Sequence, residues 1–222
     1  MRLLILGATG HTGTQLVRQA LARGHLVTAF VRSPTKLQPA DGLRIVRGEL
    51  RQPDALGAAL VGHDALLSAL GPPAREAFRP SSLLTDCMQT TLEAMHSAQV
   101  SRLAVVSAAV LFDERGWYFA LFRWLLRHHA RDLRSMELLL QQSGLAFTIA
   151  RPPRLVQAAE LGFRALTAGL PSASRSMSFA ALAAFMLDAI EQRSHVGEVV
   201  GLGPALGQPR ALLGAGAARS RA

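Results

Sequence analysis

Three glycines fall at every third position, Gly7, Gly10 and Gly13, straight after the apolar run Leu3–Leu6 and straight before a stretch with helical rhythm. A loop that leaves a strand and enters a helix gathers backbone N–H groups and the positive helix end in one place. That is the chemistry of anion binding. Glycine there permits a tight turn, a close backbone approach to a pyrophosphate, and contact between helix and strand. The usual dinucleotide spacing is G-x-G-x-x-G, whereas this loop reads GATGHTG, G-x-x-G-x-x-G. Glycines also serve plain turns. Here the strand before, the helix after and a second strand at the right distance point to a dinucleotide.

Arg32 closes the second apolar run, Leu26–Val31. An NAD site places Asp or Glu at this point for the ribose 2′-hydroxyl, and an NADP site places Arg for the 2′-phosphate. Arg32 can fork onto a phosphate. Ser33 and Thr35 add hydroxyls, and Lys36 adds a second charge. The alternative is a solvated strand end. No acid competes, so the expected cofactor is NADP(H), with NADPH preferred over NADH.

These residues need a scaffold to hold them. Strands are predicted at Leu3–Leu6, Leu26–Val31, Leu43–Val46, Asp64–Leu70, Arg102–Val106 and Ala146–Ala150, and Val196–Leu202 ends the ordered part. Helices are predicted at Thr12–Arg23, Asp54–Val61, Ser81–Ala98, Trp117–Gln142 with a break, and Phe179–Gln192 with Ser178 as N-cap. Alternation of strand and helix with short connections predicts an α/β protein, a doubly wound parallel sheet covered on both faces. Residues 1–202 read as one domain with a small C-terminal cap. The Gly-, Ala-, Pro- and Arg-rich segment from 203 to 222 reads as a loose tail.

Composition narrows the class. The chain has 222 residues, half of them apolar, enough for a sizeable core. No long uncharged apolar run suggests a membrane span. The N-terminus carries no charged-then-apolar leader. A lone Cys87, itself placed in an apolar helix pattern, allows neither an internal disulfide nor a cysteine-rich zinc site. These features predict a cytoplasmic protein. The net charge of +9 comes from scattered basic residues of which only Lys36 is lysine, with no reader motif beside them, so no specific nucleic-acid partner is expected. His128 and His129 are adjacent on a helix and do not face one way, so no metal is expected. His11 lies inside the glycine loop, where a side chain points along a cofactor or into solvent. No G-x-S-x-G elbow is present.

Taken in order, GATGHTG, VTAFVR, GEL (Gly48–Leu50), SALG (Ser68–Gly71), VVSA (Val105–Ala108) and SMELLLQQSGLAFTIARPPRL (Ser135–Leu155) resemble the atypical short-chain dehydrogenase/reductases. The likeness is to the NAD(P)H-binding, NmrA-like group that includes flavin reductase (biliverdin-IXβ reductase), and it spans residues 1–202. It implies a Rossmann fold in which Gly7, Thr9, Gly10, His11, Thr12 and Gly13 wrap the pyrophosphate. Arg32, helped by Lys36, would hold the 2′-phosphate. Glu49, where relatives carry Asp, and Leu50 would flank the adenine. Ala69, Leu70 and Gly71 would line the cofactor. Ser107 would stand beside the nicotinamide over a floor of Pro152 and Pro153. Arg154 would contact substrate in place of the flavin reductase's histidine.

Ordinary short-chain dehydrogenases move a proton through Tyr-x-x-x-Lys. This chain has one tyrosine, Tyr118, followed four residues later by Phe122, and its only lysine is Lys36. That pair is therefore impossible. Two readings remain. In one, hydride passes to a small planar acceptor such as a flavin or quinone, and the cofactor carries the chemistry. Ser107 then orients the acceptor, or is a loop hydroxyl satisfying backbone. In the other, the protein is an NADP(H) sensor acting through a protein partner. The stretch RGWYFALFRWLLRHHARDLR (Arg115–Arg134) mixes aromatics, leucines and arginines. Trp117, Tyr118 and Phe122 are expected to form an aromatic lid against the acceptor or a dimer surface, with core packing or membrane association as alternatives. The chain is expected to act as a monomer or homodimer.

Overall fold

Leu3, Leu4, Ile5 and Leu6 have no exposed surface, as a strand covered on both faces requires. They form β1 (Arg2–Leu6) of a computed structural model that describes residues 1–34, 37–72, 80–112 and 126–205. Beside β1 lie β2 (Leu26–Val31) and β4 (Ala65–Ser68), both parallel to it, with Leu4 opposite Thr28 on one side and Leu66 on the other. The other main strands are β3 (Leu43–Arg47), β5 (Arg102–Val106), β6 (Ala146–Arg151), β8 (Phe163–Thr167) and β10 (Glu198–Pro204). The order is β3-β2-β1-β4-β5-β6-β10-β8, parallel except for β8, which runs antiparallel to β10.

Five helices occur among the described residues: α1 (His11–Ala22), α2 (Pro53–Leu60), α3 (Leu83–Ser97), α4 (Arg127–Gln141) and α5 (Phe179–Glu191). One core joins Leu16, Leu182, Phe185 and Met186 to Leu3 and Ile5. The other joins Leu56, Leu60, Met95, Leu133 and Leu140 to Leu4, Leu66 and Leu103. The sheet is doubly wound, as alternation predicts. Cys87 is buried, as its apolar helix pattern predicts.

Four strands had no sequence forecast: β7 (Arg154–Val156), β8, β9 (Ser176–Ser178) and β10, where the sequence marked only the end of the ordered part. β7 and β9 pair in parallel as a separate ladder, the small C-terminal addition. Three-residue strands are too short to show alternation, and the last three residues of β8 are exposed, so it carries no apolar run. β10 takes in Gly203 and Pro204, and residues 206–222 lie outside the described residues.

Helix ends are tied by side chains from distant elements. Ser178 caps α5 as its sequence position predicts, accepting from the Ala181 N–H at 2.8 Å. The buried Arg102 donates to the carbonyls of Ala189 (2.9 Å) and Ser194 (3.1 Å), placing a cation at the C-terminal end of α5. The N-terminus of α3 is capped from α4. The buried Asp132 carboxylate accepts from the N–H groups of Leu84 and Thr85, both at 3.0 Å, and from the Thr85 hydroxyl at 2.7 Å. Asp132→Ala strands these donors and is expected to cost about 2 kcal/mol of stability, read as a lower urea midpoint at unchanged m.

Candidate functional site

Because the central strands are parallel, their C-terminal ends share one rim. In spatial order the rim carries Gly48–Leu50 after β3, Arg32 after β2, the glycine loop after β1, Ala69–Gly71 after β4, Ser107 after β5 and Pro152–Pro153 after β6. The chain changes winding direction between β1 and β4, where a doubly wound sheet opens its ligand crevice. From β2 to β5 is three strand spacings, about 14 Å. An extended dinucleotide spans that distance.

The three glycines do three different jobs. Gly7 has φ +73°, and a Cβ there would lie 2.5 Å from the Ala69 carbonyl oxygen, so the β4 loop sits directly against it. A Cβ on Gly13 would lie 2.0 Å from the Gly7 carbonyl oxygen, so α1 rests on the loop itself. A Cβ on Gly10 would meet only that same oxygen at 3.3 Å, and otherwise open space. The middle glycine thus leaves the face above α1 clear for an anion. Thr12 is buried and Thr9 half-buried beside it. His11 is exposed, and one face of its ring stacks on Phe179 of α5 with centroids 4.9 Å apart.

At the β2–β3 end, Arg32 is exposed and makes no hydrogen bond or ion pair with a described residue. Ser33 adjoins it, while Thr35 and Lys36 lie outside the described residues. The Phe30 ring fills the space above Gly48, where a Cβ would be 2.3 Å from the ring tip. Glu49 is exposed and Leu50 half-buried against the α2–α4 side of the core. Arg51 follows Leu50 and is exposed. Burial pushes the Cys87 thiol pKa up and Asp86 adds to this, while Arg51 and Arg32 both oppose it.

At the β5–β6 end, Ser107 is 6% exposed and its hydroxyl has no hydrogen-bond partner. Its N–H donates to Ala150 at 2.7 Å, which continues the β5–β6 ladder past the strand end. The hydroxyl does not satisfy backbone, one of the two roles open from sequence. A buried unpaired donor costs free energy, and an arriving ligand atom can relieve it. Pro152 is buried, and its carbonyl accepts from Ala109 at 2.9 Å, holding the short 3₁₀ turn Ala109–Leu111 in place. Pro153 is half-buried and Arg154 exposed. A Cβ on Gly71 would touch nothing within 4 Å. Tyr118, with Trp117 and Phe122, lies outside the described residues.

Two further features were not legible as site elements. Arg151 at the end of β6 grips the buried Glu137 of α4 through two hydrogen bonds, at 3.0 and 2.5 Å, and lies over the Phe112 ring at 4.7 Å. Both residues fall within the Ser135–Leu155 motif, but only the fold brings them together. His129 is half-buried, not solvated; burial holds its pKa below the ordinary value against the opposing effect of Asp132. No group of His, Cys, Asp and Glu suited to a metal occurs among the described residues. Nor is any described helix long and apolar enough to cross a membrane.

This geometry accommodates a dinucleotide. It offers a glycine loop with a clear middle face, an unpaired arginine at one end and an unpaired buried hydroxyl at the other. Residues 7–193 match the family described as NAD(P)H-binding. Among curated relatives, the photosystem II assembly factor Ycf39 of Synechocystis is 42% identical over 71 residues, 31% of this chain and 22% of that protein. The chain thus covers about a fifth of the length of the first such relatives. Among solved structures, a short-chain dehydrogenase/reductase from Veillonella parvula in complex with NADP superposes with a TM-score of 0.76 at 19% identity, covering 93% of this chain and 95% of that one. A protein assigned as an NADH-flavin reductase from Streptococcus pneumoniae gives 0.73 at 21% identity, over 92% and 100%. At such identities the likeness concerns the Rossmann fold.

Proposed function

Because the chain belongs to the NAD(P)H-binding family, we propose that it is an NADPH-dependent oxidoreductase that passes hydride to a small planar acceptor such as a flavin or quinone. The observation that carries this reading is the buried, unpartnered Ser107 hydroxyl at the end of a central strand, on the rim that also bears the glycine loop.

Each rim residue takes a part in it. The N–H groups of the Gly7–Gly13 loop and the positive end of α1 hold the pyrophosphate, with Thr9, His11 and Thr12 along it. Arg32 forks onto the 2′-phosphate, aided by Ser33 and Lys36. Glu49 and Leu50 flank the adenine. Ala69, Leu70 and Gly71 line the middle. Pro152 and Pro153 form the floor at the nicotinamide end. When bound, NADPH supplies the hydride, and with it both electrons. Ser107 hydrogen-bonds the acceptor and fixes its orientation, with Arg154 and Tyr118 as further acceptor contacts. No Tyr-x-x-x-Lys pair exists to pass a proton, so the acceptor takes its proton from solvent.

The test is NADPH consumption with free FMN, with NADH run in parallel. The expected result is turnover that prefers NADPH. Ser107→Ala should lower kcat/KM about tenfold, one lost hydrogen bond. It should not lower the melting temperature, since the hydroxyl has no partner to lose. Tight NADPH binding with no turnover on FMN or a quinone would replace this reading with a nucleotide sensor acting through a protein partner.

A further inference from the structure

The outer face of α4 holds a cavity of about 260 Å³, lined among the described residues by Val110, Arg127, Ala130, Arg131 and Arg134. Three of these five are arginines, and none is acidic. The two acids of α4 are turned inward and occupied, Asp132 on the α3 N-terminus and Glu137 on Arg151. Arg131 and Arg134 are exposed and make no hydrogen bond or ion pair with a described residue. The first turn of α4 holds no acid either, so an anion entering the groove meets arginines and no exposed carboxylate of this helix.

The groove lies close to the proposed reacting end. Val110 follows Ser107 by three residues, at most about 11 Å of chain. Its 3₁₀ turn is fastened to the floor by the Ala109–Pro152 hydrogen bond. Guanidinium forks along one groove suit a phosphate better than a single carboxylate. The volume exceeds that of a lone ion and leaves room for the arm that carries it.

Resting on the reductase reading, we propose that this groove is the acceptor's phosphate subsite, so that the acceptor is a ring bearing a phosphate monoester on a flexible arm. FMN has that chemistry, and riboflavin is the same ring without the phosphate.

The experiment compares FMN with riboflavin on the full chain loaded with NADP⁺, by flavin fluorescence titration and then by NADPH-driven turnover. The wild type should bind FMN at least about tenfold tighter than riboflavin. The Arg131→Ala/Arg134→Ala double variant should lose that preference and keep its affinity for riboflavin and NADP⁺. Equal affinity for the two flavins in the wild type, or equal weakening of both in the variant, overturns the proposal. The two readings fail separately. A phosphate-dependent affinity without turnover sinks the reductase and upholds the groove; turnover indifferent to the phosphate does the reverse. Flotation of the wild type with phosphatidylserine vesicles, lost in the double variant and accompanied by no flavin preference, would overturn the subsite and assign the arginines to a lipid surface.

Discussion

Gly13→Ala is expected to abolish measurable NADPH binding and to lower the melting temperature, whereas Gly10→Ala loses binding and keeps the fold. The two substitutions add the same methyl group to one loop. At Gly13 the new carbon would lie 2.0 Å from the Gly7 carbonyl oxygen and 2.7 Å from the Ala8 Cα. Both are backbone atoms and cannot rotate away. α1 would have to lift from β1, which opens the first core around Leu16 and Val17. Overpacking of this kind costs about 1–3 kcal/mol or more. At Gly10 the only neighbour is the Gly7 oxygen at 3.3 Å, a contact relieved by a few tenths of an ångström. The methyl would instead project into the clear face where a pyrophosphate must approach. Differential scanning and nucleotide titration on both variants check this. Normal NADPH affinity in Gly10→Ala would remove the glycine loop from the cofactor site.

Arg32→Ala should weaken NADPH about a hundredfold and leave NADH within about twofold. Arg32 is exposed and makes no hydrogen bond or ion pair with a described residue, so its loss breaks nothing in the fold. What disappears is a forked, charge-assisted contact to a group that only the phosphorylated cofactor carries. The discrimination should also shrink as salt rises, because the site is open to solvent. Equal affinity of the wild type for the two nucleotides would defeat the 2′-phosphate assignment.

The parts of the fold visible in the sequence share one property: their signal is local. Leu3–Leu6 is an unbroken apolar run because β1 is covered on both faces. α3 shows Leu84, Met88 and Met95 because one face of the helix meets the sheet. Ser178 announces the start of α5 because a cap acts within three residues. β8 gave no such signal. It is an edge strand whose last three residues are exposed, and its place beside β10 depends on a partner more than thirty positions away.

The site divides along the same line. Sequence alone determined the glycine spacing, the arginine after the second strand and the absence of a tyrosine–lysine pair, because each is a matter of residue type at short range. Only the tertiary structure decided what depends on two distant segments meeting. It left the Ser107 hydroxyl buried without a partner, laid His11 on Phe179, and used Asp132 and Glu137 inside the core. With those acids turned inward, Arg131 and Arg134 remain unneutralised on the outside of α4. The physical reason is that backbone conformation and burial periodicity are fixed by neighbours along the chain, whereas hydrogen-bond satisfaction and charge pairing are settled by whichever groups the fold brings within about 3 Å.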